Sequence, residues 1–354
     1  MQRYNTNYLD SEYRRLFGGD TNDLPGLVPD SVPDSVPNEE STRKRQKKSK
    51  HSQPDLPDNT VVRYDNCTAT ANSFKLIMSD EKLGLSNLVK GFVSFETSVM
   101  EVSYIKIPTK YTHSFMTTGA YVYHKIYSNP HHNLPQVINL LLISDSSDSS
   151  DGSYGSYGSD GAQSACIIFP KYYGDLLSLM GTRKSPLPTD LAGKFSWQLV
   201  NSLDHFHKLR ITLRNLCLSK IHFSDEKQQN LVIADLTGSI LLPPEVRFVQ
   251  DINGPSAFYI APEIILQGRV DPFKTDVWSL GIIIFVLFTG MFPFQDDNRK
   301  ELFRKVILQP LVIPDSVPPM VKDILLVMLN RNPLERADIH TILELPYFSN
   351  YNIE

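Results

Sequence analysis

Three short stretches of this sequence carry side chains of the kinds that handle phosphate and divalent metal. Asp235, in "DLTG" at 235–238, is a carboxylate that could hold one magnesium ion or cap a turn before Gly238, and the turn is the plainer reading. Lys106, in "SYIKI" at 103–107, has the charge to meet a nucleotide phosphate, or else is a solvated strand lysine. Between them lies "LRNLCLSK" at 213–220. Asn215 can hydrogen-bond a hydroxyl, but a neutral amide cannot take its proton to give a stable acid. Lys220 places a cation where a second metal would look for an oxygen ligand.

The phosphate side is equally thin. "LGLSNLVKGF" at 83–92 keeps Gly84 and Gly91 but has no G-x-G-x-x-G, so few backbone amides can approach a phosphate. A phosphate-binding lysine is braced by a helix glutamate in active phosphotransferases, and no glutamate occurs between Glu101 and Glu226. These residues predict that ATP and magnesium binding is weak or absent and that no cofactor is required.

The elements that would position such residues follow from composition. The chain has 354 residues, 41% of them hydrophobic, enough for a large two-lobed domain or two ordinary ones. A net charge of −4 gives no global case for nucleic-acid binding. Three scattered cysteines supply neither a disulfide framework nor a zinc site, so a reducing compartment is the default. The N-terminus lacks an apolar secretory core, and the run "LGIIIFVLF" at 280–288 is too short for a membrane span and reads as a core helix.

Residues 1–60 are polar, proline-rich and charged, the composition of a disordered tail. From 61 to 170 strand-like runs dominate, including "FKLIM" (74–78), "EVSYIKI" (101–107), "VINLLLI" (137–143) and "ACIIF" (165–169). A Ser/Asp/Gly insert at 144–164 separates the last two and reads as a long hairpin loop. From 171 to 354 the pattern is helical. Leu191, Phe195, Leu199, Leu203 and Phe206 make one apolar face, with Thr189 or Asp190 as the cap. Further helices are predicted at 275–289, 298–307 and 318–329. The expected fold is α+β and two-lobed, with a small, mainly β N-lobe and a larger helical C-lobe behind the tail.

The order of motifs resembles a protein kinase: "LRNLCLSK" for the catalytic loop, "DLTG" for D-F-G, "GPSAFYIAPE" (254–263) for the segment ending in A-P-E, "DVWSLGIIIFVLFTGMFPF" (276–294) and "NPLERADIHTILELPYF" (332–348). Within that superfamily the chain resembles a divergent member of the tribbles pseudokinases, on Lys220 in the catalytic loop, "YYGDLLS" (172–178) at the hinge and "ELFRKVILQPLVIPDSVP" (301–318). It departs from them in Asn215, where they usually keep Asp, and in keeping Asp235. The resemblance implies that Glu263 and Arg336 form the ion pair that braces the C-lobe, and that Asp276 holds the catalytic-loop backbone. It also implies a scaffold that regulates kinase signalling, with protein clients, signalling kinases and a ubiquitin ligase as partners, and neither nucleic acid nor membrane among them. A divergent Ser/Thr kinase with residual activity, and a decoy occupying an active kinase's docking surface, are the competing readings.

Two tail features extend this. Arg43, Lys44, Arg45, Lys47, Lys48 and Lys50 lie within eight residues and read as a nuclear import signal, with a solvated linker as the bland alternative. The expected distribution is nuclear and cytoplasmic. Val28-Pro29, Val32-Pro33 and Val36-Pro37 form an extended, accessible repeat that loosely resembles ligase-engaging peptides of tribbles tails, although a plain linker is the simpler reading.

Overall fold

The structure is a computed structural model that describes residues 61–63, 74–83, 87–95, 98–114, 119–144, 163–183, 185–250, 256–266 and 268–351. The disordered-tail reading of 1–60, the Val-Pro repeat, the basic run and most of the Ser/Asp/Gly insert lie outside the described residues.

The first lobe is a six-stranded antiparallel sheet in the order β1-β5-β6-β4-β3-β2. Its strands are β1 (Val61–Arg63), β2 (Phe74–Lys82), β3 (Val89–Phe95), β4 (Ser98–Ile107), β5 (Asn139–Ser144) and β6 (Gln163–Pro170). The insert joins β5 to β6, which pair antiparallel as a hairpin, as the sequence predicts. Two helices, α1 (Thr109–Ser114) and α2 (Ala120–Tyr127), separate β4 from β5. Alternation along β4 sends Ser103, Ile105 and Ile107 to one face, where the two isoleucines join the core with Val122, Tyr123 and Ile126 of α2.

The second lobe is helical: α3 (Leu176–Arg183), α4 (Thr189–Lys208), α5 (Pro262–Ile265), α6 (Pro272–Thr289), α7 (Arg299–Leu308), α8 (Pro319–Met328), α9 (Ile339–Leu343) and α10 (Pro346–Ser349). Two short ribbons face the first lobe, β7 (Ile211–Thr212) with β10 (Ile240–Leu241), and β8 (Ile221–Phe223) with β9 (Leu231–Ile233). Helix α4 buries the predicted stripe, but its cap differs from the expectation. Thr189 is already helical, and Pro188, which has no side-chain donor or acceptor, precedes it.

Helix α6 is apolar on all sides and buried on all sides, which makes it a core helix despite a length and composition sufficient to cross a membrane. Its ends are well specified. Asp271 accepts the Phe273 N–H at 3.1 Å, Pro272 occupies the first turn, and Gly290 closes the C-terminus at φ 73°. Arg336 locks this layer in place. Its guanidinium meets both Glu263 oxygens, at 2.6 and 2.9 Å, donates to the Lys274 carbonyl at 2.7 Å and lies over the Trp278 ring. A buried pair of this geometry is costly to break, on the order of 3–5 kcal/mol, because one partner would be left charged and alone.

Candidate functional site

The loop after β7 is held from below by Asp276 of α6. One carboxylate oxygen accepts the Leu213 N–H and the other the Arg214 N–H, both at 2.7 Å, and His207 Nε2 lies 3.2 Å away. This clamp keeps Arg214 in the left-handed region at φ 62°, a conformation costing an ordinary residue about 1–2 kcal/mol. It also aims the next residue. Asn215 Oδ1 accepts the Ser256 N–H at 3.2 Å, so this amide fastens the downstream segment.

Asp235 is buried between the lobes. One of its oxygens accepts both the N–H and the hydroxyl of Thr237, and the other accepts Asn87 Nδ2 at 3.1 Å. Lys220, also buried, brings its ammonium to 3.9 Å from Asp235 and donates to the carbonyl of Thr237. Burial pushes the Asp235 pKa up, but the Lys220 charge and the hydrogen bonds from Thr237 and Asn87 together hold it below the usual carboxylate range. The carboxylate is therefore ionised, with its charge met by a lysine. Asp235 caps a turn: Ser239 N–H returns to the Leu236 carbonyl at 3.0 Å, and Gly238 sits at φ 90°, where a side chain would be strained.

The remnant glycine loop reaches the same carboxylate. Asn87 provides the hydrogen bond just described, while Leu88 is fully buried and its carbonyl accepts the Leu83 N–H at 2.9 Å. Helix α2 contributes no carboxylate. Its inward residue is Tyr123, whose hydroxyl accepts the Leu236 N–H at 3.1 Å. Burial, reinforced by the Asp235 charge, pushes that phenol well above its ordinary pKa and keeps it neutral.

Lys106 is exposed, on the face of β4 opposite Ser103, Ile105 and Ile107, and its cross-strand partner is Cys166. With a side-chain period of two, its neighbours Ile105 and Ile107 turn to the core while Lys106 turns the other way.

The hinge side of the cleft is filled by rings. Tyr172 is buried, tilted against Phe169 at 5.9 Å and stacked on His222 at 5.8 Å. Its backbone N–H donates to Ser103 Oγ at 2.9 Å. His222 is fully buried, with the backbone of Gly174 and Ser219 beside its ring. Burial takes its pKa down to about 4 against the opposing pull of Asp175 and Asp235, so the ring is neutral at pH 7.

Lys220 and Asp235 thus meet, Asn215 ties its loop to Ser256, and Asp276, Glu263 and Arg336 hold the frame. Asn87, Tyr123, Thr237, Tyr172, His222 and Ser103 were not expected there. Only Thr237, two residues after Asp235 in a turn-forming sequence, carried a local signal; the others arrive from distant elements. Near Asn215 the surface is aromatic. Phe258 and Phe292 lie tilted against each other at 4.9 Å, and Met291 beside them is 58% exposed.

The protein kinase domain, as a family, matches residues 128–348 of this chain. Tribbles homolog 2 of Canis lupus familiaris is 31% identical over 186 residues, covering 52% of this chain and 54% of the relative. Tribbles homolog 1 of Homo sapiens is 32% identical over 185 residues, covering 52% and 49%. The SNF-related serine/threonine-protein kinase of Homo sapiens is 32% identical over 174 residues, covering 49% and 22%. The chain spans about half the length of the Tribbles relatives it matches.

Proposed function

The chain belongs to the protein kinase domain family, and we propose that within it the protein is a pseudokinase, a binding platform that regulates kinase signalling. The observation that carries this reading is the Lys220 ammonium, held against Asp235 and Thr237 where a metal-dependent enzyme needs a cation from solution. The amide at Asn215 supports it, since no proton can be lodged there. Clients would be bound at the aromatic surface of Phe258, Met291 and Phe292, next to Asn215. The tail would recruit a second protein, a ubiquitin ligase, through Val28-Pro29, Val32-Pro33 and Val36-Pro37, and the basic run would carry the assembly to the nucleus.

The competing reading, a kinase with residual activity, draws on the ionised Asp235. One experiment separates the two: thermal unfolding and phosphotransfer measured with ATP, with and without magnesium. Neither a magnesium-dependent shift nor transfer above background is expected, and Asn215→Asp alone should not restore transfer. Robust transfer by the unaltered protein, abolished by Asp235→Ala, would establish the enzyme instead.

A further inference from the structure

Behind α2, away from the cleft, the chain from Ser128 to Gln136 is pinned to the second lobe. Asn133 Nδ2 donates to the Leu231 carbonyl at 3.2 Å, and the Asn133 carbonyl accepts Ser202 Oγ of α4 at 2.8 Å. Flat rings continue the junction. Trp197, His132, His131 and His205 follow one another at centroid distances of 6.4, 4.2 and 4.6 Å, each pair within 28° of parallel.

This loop and the end of α2 enclose a half-open cavity of about 360 Å³. Ile126, Pro130, Pro135 and Val137 supply its apolar wall. Tyr127, Gln136 and the imidazoles of His131 and His132 supply its polar groups. Among the described residues no Lys, Arg, Asp or Glu lines it. His131 is uncharged at pH 7, because burial and the two neighbouring imidazoles take its pKa to about 4. The volume falls within the range of small-molecule sites, whose walls are apolar with a few polar groups that fix orientation.

We propose that this cavity is a binding site for a small, uncharged aromatic molecule. The apolar wall and the stacked imidazoles of His131 and His132 favour a flat ring system. The polar rim offers hydrogen bonds to one edge of it, and a lining without charged side chains favours an uncharged ligand, since an ion would lose hydration without gaining a charged partner there. The site is coupled to the cleft by α2. Ile126 and Tyr127 line the cavity, and Tyr123, one turn earlier, receives the Leu236 N–H beside Asp235. A ligand here braces α2 from behind and steadies that hydrogen bond. The inference is independent of whether the protein transfers phosphate.

Indole is a suitable probe, titrated against the full chain near pH 7.5 by saturation-transfer NMR and thermal unfolding, with benzoate and benzylammonium as charged counterparts. Indole is expected to bind with a Kd on the order of 1 mM, the affinity of a fragment, and the charged compounds at least about tenfold more weakly. Val137→Trp should fill the cavity and weaken indole at least about tenfold. Because Val137 is half-buried, Gln136→Trp at an exposed position on the same rim provides an independent fill. Amide exchange at Leu236 should slow with indole in the unaltered protein and not in a filled variant. The proposal is overturned if indole does not bind, if the charged compounds bind equally well, or if a folded variant of either kind keeps the unaltered affinity.

Discussion

Exchanging Lys220 for Asn, the residue that phosphotransferases place there, withdraws the ammonium from Asp235 and restores a neutral oxygen. The variant should lose stability on the order of 3 kcal/mol, since a buried carboxylate is left without its cation. Magnesium should then recover part of that loss, as any ligand of the folded state does, while leaving the unaltered protein unmoved. Thermal unfolding with and without magnesium reads both effects, and an equal magnesium response in the two proteins would count against Lys220 as the metal's replacement. His222 makes a separate, pH-dependent contribution. Its pKa is about 4 in the fold against 6.5 when unperturbed, so between these values the unfolded chain takes up a proton that the folded chain refuses. The stability it supports is complete above pH 6.5, declines as pH falls and levels off below about 4, a total on the order of 3 kcal/mol. Denaturant unfolding at pH 7 and 4.5 should show this decline, and His222→Leu should flatten it.

Elements with a long apolar period were legible from the sequence, and those without one were not. The stripe on α4 and the unbroken run in α6 specify buried helices whatever surrounds them. Helices α1 and α2 and strand β3 are short, polar at intervals and defined by their neighbours, so periodicity gave them no voice. The strand containing Lys106 was legible, but its facing was not: a shift of one residue exchanges core for surface, and only the pairing with β3 and β6 decides it. The site suffers the same limit. Asn87 and Asp235 meet across 148 residues, and no local pattern announces the contact. Caps are the better guide to what an element can tolerate. At Gly290 the backbone is left-handed, and an added Cβ would stand 2.9 Å from backbone atoms of Ser185 and Pro186. Gly290→Ala should therefore destabilise by more than the roughly 1–2 kcal/mol of the conformational penalty alone, whereas Gly181→Ala, with open space around it, should be neutral or mildly stabilising. Urea midpoints of the two variants make the comparison.

For the whole molecule, the test of the basic run is a matter of address. A reporter fused to the chain should accumulate in the nucleus, and replacing Arg43, Lys44, Arg45, Lys47, Lys48 and Lys50 with Ala should return it to the cytoplasm. An unchanged distribution in live-cell imaging would reduce the run to a linker. The lysine at Asp235 has a different kind of consequence, one of history. On the pseudokinase reading proposed above, phosphoryl transfer would require an acid at 215, a neutral ligand at 220, release of Asn87 and a carboxylate on α2. Taken singly, the exchange at 220 strands a buried charge, and the others yield no chemistry without their companions. On that reading Lys220 works as a ratchet: it stabilises the present fold and makes each single step toward phosphoryl transfer either costly or without effect.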